Sequence, residues 1–257
     1  MKVAFFGDII GKPGRTALED GIKHVRSSGA DFVIANGENA SGGLGLTPEN
    51  AEEMLKMGVD IITSGNHIWN KREMVERISG LDRVLRPANY PVGVPGRGMA
   101  VIKANSYRLA VLNLQGRVFM GEIDCPFRKA DEILSTIGSS ADAVFVDFHA
   151  EATSEKNALG SYLDGRAAAV VGTHTHVQTA DERILPSGTA YISDVGMCGP
   201  VDSVIGMESG TVVPRFLTGM PTKFEVGGGR TMVNAVMVEI DHSTGRARSI
   251  ERINYLI

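Results

Sequence analysis

An α/β sandwich of mixed sheets with helices outside is predicted for this chain by three features. Short Val/Ile/Phe-rich runs recur along it, helix-patterned segments separate the first three runs, and hairpin-like alternation takes over after residue 97. The runs are "KVAFFGD" (2–8), "DFVIANGEN" (31–39), "VDIITSGNH" (59–67), "RLAVLNLQG" (108–116), "DAVFVDFHAE" (142–151) and "AAAVVGTHTH" (167–176). Their near-continuous apolar character suits strands buried on both faces. "RTALEDGIKHVRSSG" (15–29) and "TPENAEEMLKMG" (47–58) have helical spacing. In the second, Thr47 is a candidate N-cap, Pro48 takes the first helical position and Gly58 lies past the end. The opening is therefore βαβαβ. Further on, Asn105-Ser106 joins two strand-like runs as a hairpin, and the tail "RTMVNAVMVEIDHSTGRARSIERI" (230–253) repeats that pattern. The segment 193–230 reads as one long, turn-rich loop, and long loops in compact domains are often functional.

A chain of 257 residues with 43% apolar content is within reach of one hydrophobic core, so one domain spanning 1–257 is expected. No run of apolar residues is long enough for a membrane span. At the N-terminus, the apolar stretch is interrupted by Asp8, too soon for a signal-peptide core, and a cytoplasmic location is expected. Cys125 and Cys198 signal neither a disulfide framework nor a thiolate zinc site, which fits a reducing compartment. A formal charge of −4 and a pI near 5.9 argue against a broad footprint for duplex nucleic acid. Phosphate chemistry, if present, is local.

Polar residues cluster where the apolar runs end: Asp8, Glu38 with Asn39, Asn66 with His67, His149 with Glu151, then His174 and His176. In α/β sheets the carboxyl edge is where ligands bind, so residues distant in sequence converge there. Each alone has a plain structural explanation as a cap, a turn residue or a satisfied histidine. Together they form a ligand set of imidazole, carboxylate and amide without thiolate, which suits Mn, Fe, Zn or Co. The candidates are too many for one tetrahedral ion. Two ions about 3.5–4 Å apart and sharing a carboxylate would use them all, attract a phosphate ester and lower the pKa of a bridging water.

In this order, "GDIIG", "GEN", "SGNH", "DFHAE" and "GTHTH" resemble the motifs of the calcineurin-like metallophosphoesterase superfamily, over residues 1–195. Two positions depart from it: Ile10 stands where histidine is common, and Glu38 where the bridging ligand is usually aspartate. "GDIIGKPGR", "RVFM", "DFHAEATSEK" and "GTHTHVQTAD" are similar to its YmdB-like branch, described as 2',3'-cyclic-nucleotide 2'-phosphodiesterases. The resemblance implies a four-layer α/β/β/α sandwich of mixed sheets with flanking helices. It implies that Asp8, Glu38, Asn39 and His176 hold one metal ion, with Asn39 in the place left by Ile10, and that Glu38, Asn66, His149 and His174 hold a second, with Glu38 bridging. The ions would be divalent or mixed-valence, iron or manganese ahead of zinc. The implied substrate is a small cyclic nucleotide, 2',3'-cyclic and by extension 3',5'-cyclic AMP, attacked by a metal-bridging hydroxide. His67, left over beside Asn66, is assigned as general acid, since imidazole can supply a proton near neutrality, and the other reading is that it orients a metal ligand.

Other readings stay open on these residues. The same site suits a phosphomonoester, a protein phosphate or an RNA end, and a metal-stabilised regulatory scaffold is a reading from another class. Glu151 and Glu155 are expected to orient a ligand or start a helix. The glycines of "SGGLGLT" (41–47) either present backbone NH groups to substrate or serve turn geometry. Lys12 and Arg15 either touch phosphate or sit on the solvated surface. In "GRVFMGEIDCPF" (116–127), Phe119, Met120 and Phe127 read as an exposed patch, either a homo-oligomer contact or a lid.

Overall fold

The first apolar run folds as β1 (Lys2–Phe6), buried from Val3 onward, and this burial on both faces makes it a central strand. In the computed structural model, which describes all residues Met1–Ile257, it is followed by β2 (Asp8–Ile9), α1 (Gly11–Ser27), β3 (Phe32–Asn36), α2 (Pro48–Met57), β4 (Ile61–Thr63) and α3 (Arg72–Arg77). Then come β5 (Met99–Ala104), β6 (Tyr107–Gln115), α4 (Pro126–Ile137), β7 (Ala143–His149), α5 (Thr153–Tyr162) and β8 (Ala169–Thr173). The remainder is β9 (Arg183–Ile184), β10 (Ala190–Ile192), β11 (Met197–Pro200), α6 (Ser209–Thr218), β12 (Thr231–Asp241) and β13 (Arg246–Leu256).

One sheet runs β2-β11-β12-β1-β3-β4 with β13 on β12, and the other runs β5-β6-β7-β8-β10-β9. Within the first, β1, β3 and β4 are parallel; within the second, β6, β7, β8 and β10 are. Parallel strands bring their carboxyl ends to one edge, which gathers the polar residues that follow them. Phe5 and Phe145 stack between the sheets with centroids 5.6 Å apart, inside a core shared by both. A second core lies under α1 and α2 and a third under α4 and α5, which completes the four layers.

Local chemistry explains the boundaries. Thr47 caps α2 by accepting from Asn50 N at 3.3 Å, and Gly58 ends it with φ 115°. Asn105, at φ 54°, turns the β5–β6 hairpin. Helix α1 starts four residues before Arg15, because Pro13 falls in its first turn, where a missing NH leaves no intrahelical bond unmade. The segment 193–230 is not one loop: it contains β11 and α6. The patch expected at 116–127 also shrinks. Met120 and Phe127 pack against the core under α4 and α5, and of the three residues Phe119 stays exposed, beside exposed Val118. Both cysteines are free, and no helix is long and apolar enough to cross a membrane.

Candidate metal centre

His149 is the last residue of β7 and fully buried, and the parallel register sets Thr173 of β8 opposite it. Its Nδ1 lies 3.0 Å from Thr173 Oγ1, which donates to Asp147 Oδ1 at 2.7 Å. The other oxygen of Asp147 accepts from Asn36 Nδ2 at 3.0 Å and Thr63 Oγ1 at 2.5 Å. The ends of β3, β4, β7 and β8 are thereby tied beneath the imidazole. Burial pushes the Asp147 carboxyl up to about 7.

With Nδ1 held, Nε2 of His149 faces Glu38 Oε1, Asn66 Oδ1 and His174 Nδ1, each at 3.0 Å. One ring nitrogen carries at most one proton and cannot bond all three. Ligand atoms at right angles around an ion at ~2.1 Å stand ~3.0 Å apart, which matches these spacings. Glu38, His149 and His174 form a group able to hold a metal ion. Asn66 reaches the cluster because residue 65 is glycine: a Cβ there would stand 2.1 Å from the His149 ring.

Beside this group lie Asp8, Asn39 and His176. His176 donates its Nδ1–H to Ile205 O at 2.8 Å, which leaves Nε2 bare, 3.3 Å from Asn39 Nδ2 and 3.8 Å from Asp8 Oδ1. Asp8 Oδ1 and Asn39 Oδ1 are buried without a hydrogen-bond partner. Orphaned buried oxygens are costly in a protein and ordinary beside a cation, so this donor set fits a metal ion as well.

The charges of the cluster are strongly coupled. Burial opposes ionisation of Glu38, yet the adjacent His149 outweighs it and holds the carboxyl at about 2. Burial likewise disfavours His149 as a cation, and Glu38 with Asp8 overrides it, raising it to about 9. His174 is depressed to about 3 by burial and by the charge on His149, while burial raises Asp8. The His149 contribution to the stability of the metal-free protein is therefore full below about 6.5 and lost as pH rises through 9. A metal ion bound at this nitrogen would displace that proton. Titrating metal-free protein with Mn²⁺ near pH 7 in buffers of different ionisation enthalpy should reveal release of about one proton, with affinity rising toward pH 9. Heats independent of the buffer would contradict this.

The loop carrying His174 and His176 is backbone-strained, with φ of 104° and 66° in the left-handed region. Asp194 restrains it. Its Oδ2 accepts from Thr175 N at 3.0 Å, Thr175 Oγ1 at 2.8 Å and Lys156 Nζ at 2.7 Å, and its Oδ1 from Gly196 N at 2.8 Å. Both partners of this ion pair are buried. Lys156→Met leaves Asp194 charged and uncompensated, so a loss of about 3–5 kcal/mol is expected. Differential scanning calorimetry should then show Tm lower by roughly 10 °C, and an unchanged Tm would refute the restraint.

The backbone NH of His67 donates to Glu38 Oε2 at 3.0 Å, and its ring, with Nδ1 3.3 Å from Asn70 Nδ2, lines a cavity of 360 Å³ above the cluster. Glu151 also lines the cavity, its Oε2 standing 3.2 Å from Nε2 of the candidate ligand His174. Glu155 is not at the centre: it accepts from Arg117 N and Val118 N and fixes the loop after β6. Arg15 bonds Ala40 O and Glu53, propping the turn beside Asn39, and neither it nor exposed Lys12 lines the cavity. In the 41–47 loop Gly42, Gly43 and Gly45 all have positive φ, so turn geometry accounts for them. Sequence reasoning assigned no role to Asp147, Lys156 and Asp194; of the cavity residues, Ile205, Met207 and Phe224 lie in the 193–230 segment expected to be functional and Leu44 in the 41–47 loop, though none was singled out.

The family model described as "YmdB-like protein" matches residues 4–253. The chain is 50% identical over 254 residues to a Bacillus subtilis (strain 168) protein named "2',3'-cyclic-nucleotide 2'-phosphodiesterase", with 98% of this chain and 96% of the relative covered. Among solved structures, a hypothetical protein of Thermus thermophilus superposes with a TM-score of 0.93 at 42% identity, covering 100% of this chain and 99% of its own. A Mycoplasma pneumoniae protein described as a novel phosphatase does so at 0.91 and 35%, covering 100% and 93%.

Proposed function

Because the chain belongs to the YmdB-like protein family, we propose that it is a metal-dependent phosphodiesterase that opens 2',3'-cyclic nucleotides at the 2' ester. The observation that carries this is one cluster of Asp8, Glu38, Asn39, Asn66, His149, His174 and His176, of which Glu38, Asn39, His174 and His176 line a cavity, with two buried oxygens lacking any hydrogen-bond partner. In this reading Asp8, Glu38, Asn39 and His176 hold one ion and Glu38, Asn66, His149 and His174 the other. The ligand chemistry suits iron or manganese, and zinc less. When bound, such ions neutralise the phosphoryl oxygens and make water acidic enough to attack phosphorus.

The chain's own residues do the rest. Glu38 presents one oxygen toward His149 and takes the His67 NH on the other, so the turn bearing His67 is fixed to the same carboxylate that spans the site. The His67 ring faces the cavity and protonates the departing ribose oxygen, which would otherwise leave as an alkoxide. Glu151 keeps Nδ1 of His174 directed inward by engaging Nε2.

The lining also bears on substrate charge. It contains no Lys or Arg and includes the Glu151 carboxylate. A lining with that carboxylate and no Lys or Arg suits a diester monoanion better than a monoester dianion. The test is the ratio of kcat/KM for 2',3'-cyclic AMP over phenyl phosphate with Mn²⁺-loaded protein. A ratio above about 10, a difference of roughly 1.4 kcal/mol, supports the diesterase, and a ratio below 1 favours a phosphomonoesterase on the same residues.

A further inference from the structure

Phosphoryl chemistry needs the polar floor of the cavity, yet Leu44, Ile205, Met207 and Phe224 line the same space. Leu44 is 37% exposed and Ile205 51%, so apolar surface is kept in solvent beside a cluster of ionisable groups. This surface is built, not incidental. The Met207–Val226 bridge, Glu208 N to Glu225 O at 2.8 Å, Gly227 N to Gly206 O at 2.9 Å and Thr222 Oγ1 to Thr211 O at 3.0 Å pin the segment on both sides of Phe224. Ile205 is held at φ 46°, and its carbonyl receives the His176 Nδ1–H, so this part of the wall is attached to a candidate ligand. Gly43 completes the contact: a Cβ there would stand 2.7 Å from Met207 Cε, so the 41–47 loop lies against Met207. The Arg215 guanidinium packs 5.0 Å from the Phe224 centroid, which steadies the ring.

We propose that this wall is a nucleobase subsite, with Phe224 as the stacking residue, continuous with the phosphoester site. The inference rests on the diesterase reading above and adds that the substrate is a nucleotide in its base as well as its phosphate. A flat aromatic body attached to a phosphodiester fits apolar side chains next to the metal cluster, and stacking on a ring tolerates any base because every base has a π-face. The side chains of the wall itself, Leu44, Ile205, Met207 and Phe224, carry no hydrogen-bonding group to choose among bases. The hydroxyl of Thr175, the one lining alcohol, already donates to Asp194. The subsite therefore accepts all four common bases, the larger purines stacking best.

The experiment compares 2',3'-cyclic AMP with glycerol 1,2-cyclic phosphate, which has the same five-membered cyclic diester and no base. The readout is the ratio of their kcat/KM values in wild type, Phe224→Ala, Phe224→Leu and Phe224→Tyr, each loaded with Mn²⁺ and checked for Tm. The ratio should fall about tenfold in Phe224→Ala and Phe224→Leu and be retained in Phe224→Tyr, which keeps the ring. An unchanged ratio in Phe224→Ala, with both substrates still turned over, overturns the subsite and leaves the diesterase intact. Wild-type protein inert toward both cyclic diesters overturns the diesterase reading itself and the subsite with it.

Discussion

His149→Ala is expected to lower turnover of 2',3'-cyclic AMP by more than about 100-fold and to strip metal from the protein. The imidazole is the hub of the cluster, with Glu38, Asn66 and His174 all at 3.0 Å from its Nε2. Groups that merely orient a ligand are worth about 10–100-fold in metal affinity or activity, and in the proposed site His149 would itself be a ligand, one bond closer. The substitution also removes the partner that holds Glu38 at about 2, leaving a buried carboxylate beside buried Asp8. Metal analysis of the purified variant, with Tm as a folding control, checks this. Full occupancy with wild-type turnover would show that His149 serves packing alone.

His67→Ala separates chemistry from metal binding. Loss of a positioned general acid lowers kcat by about 10²–10⁴ on an ester whose leaving group is an alkoxide. Metal content should stay at the wild-type value, since the tie from residue 67 to Glu38 is made by backbone NH and survives the change. On bis(4-nitrophenyl) phosphate, whose leaving group needs no proton, the loss should shrink to about 10-fold or less. Equal losses on both substrates would assign His67 to positioning of Asn66 instead of proton transfer.

The legible part of this protein was the part written in short range. Val/Ile/Phe runs gave strands at nearly the expected places, and Thr47, Pro48 and Gly58 bounded α2 as their backbone preferences require. Parallel pairing then carries each run's terminal polar residue to one edge, which is why Asp8, Glu38, His149 and His176 could be read as neighbours from the order of the runs alone. The supports were not legible. Lys156 and Asp194 are 38 residues apart and look like ordinary surface charges until α5 and the segment after β10 bury them together. Asp147 sits in an apolar run, and its role depends on Asn36, Thr63 and Thr173 arriving from three other strands. Met120 and Phe127 read as a patch because the core under α4 that covers them is formed by distant residues. Helix α6 and Phe224 lie in a stretch rich in turn residues, where local propensity says little and the tertiary bonds around Met207 and Val226 decide.

The most direct measurement is product analysis of 2',3'-cyclic AMP incubated with protein carrying a determined number of metal ions per chain, beside a chelated sample. Release of 3'-AMP by the loaded protein, lost on chelation and restored by Mn²⁺ or Fe²⁺, is the predicted result. An intact cyclic ester in the presence of protein that holds two ions per chain would contradict the account.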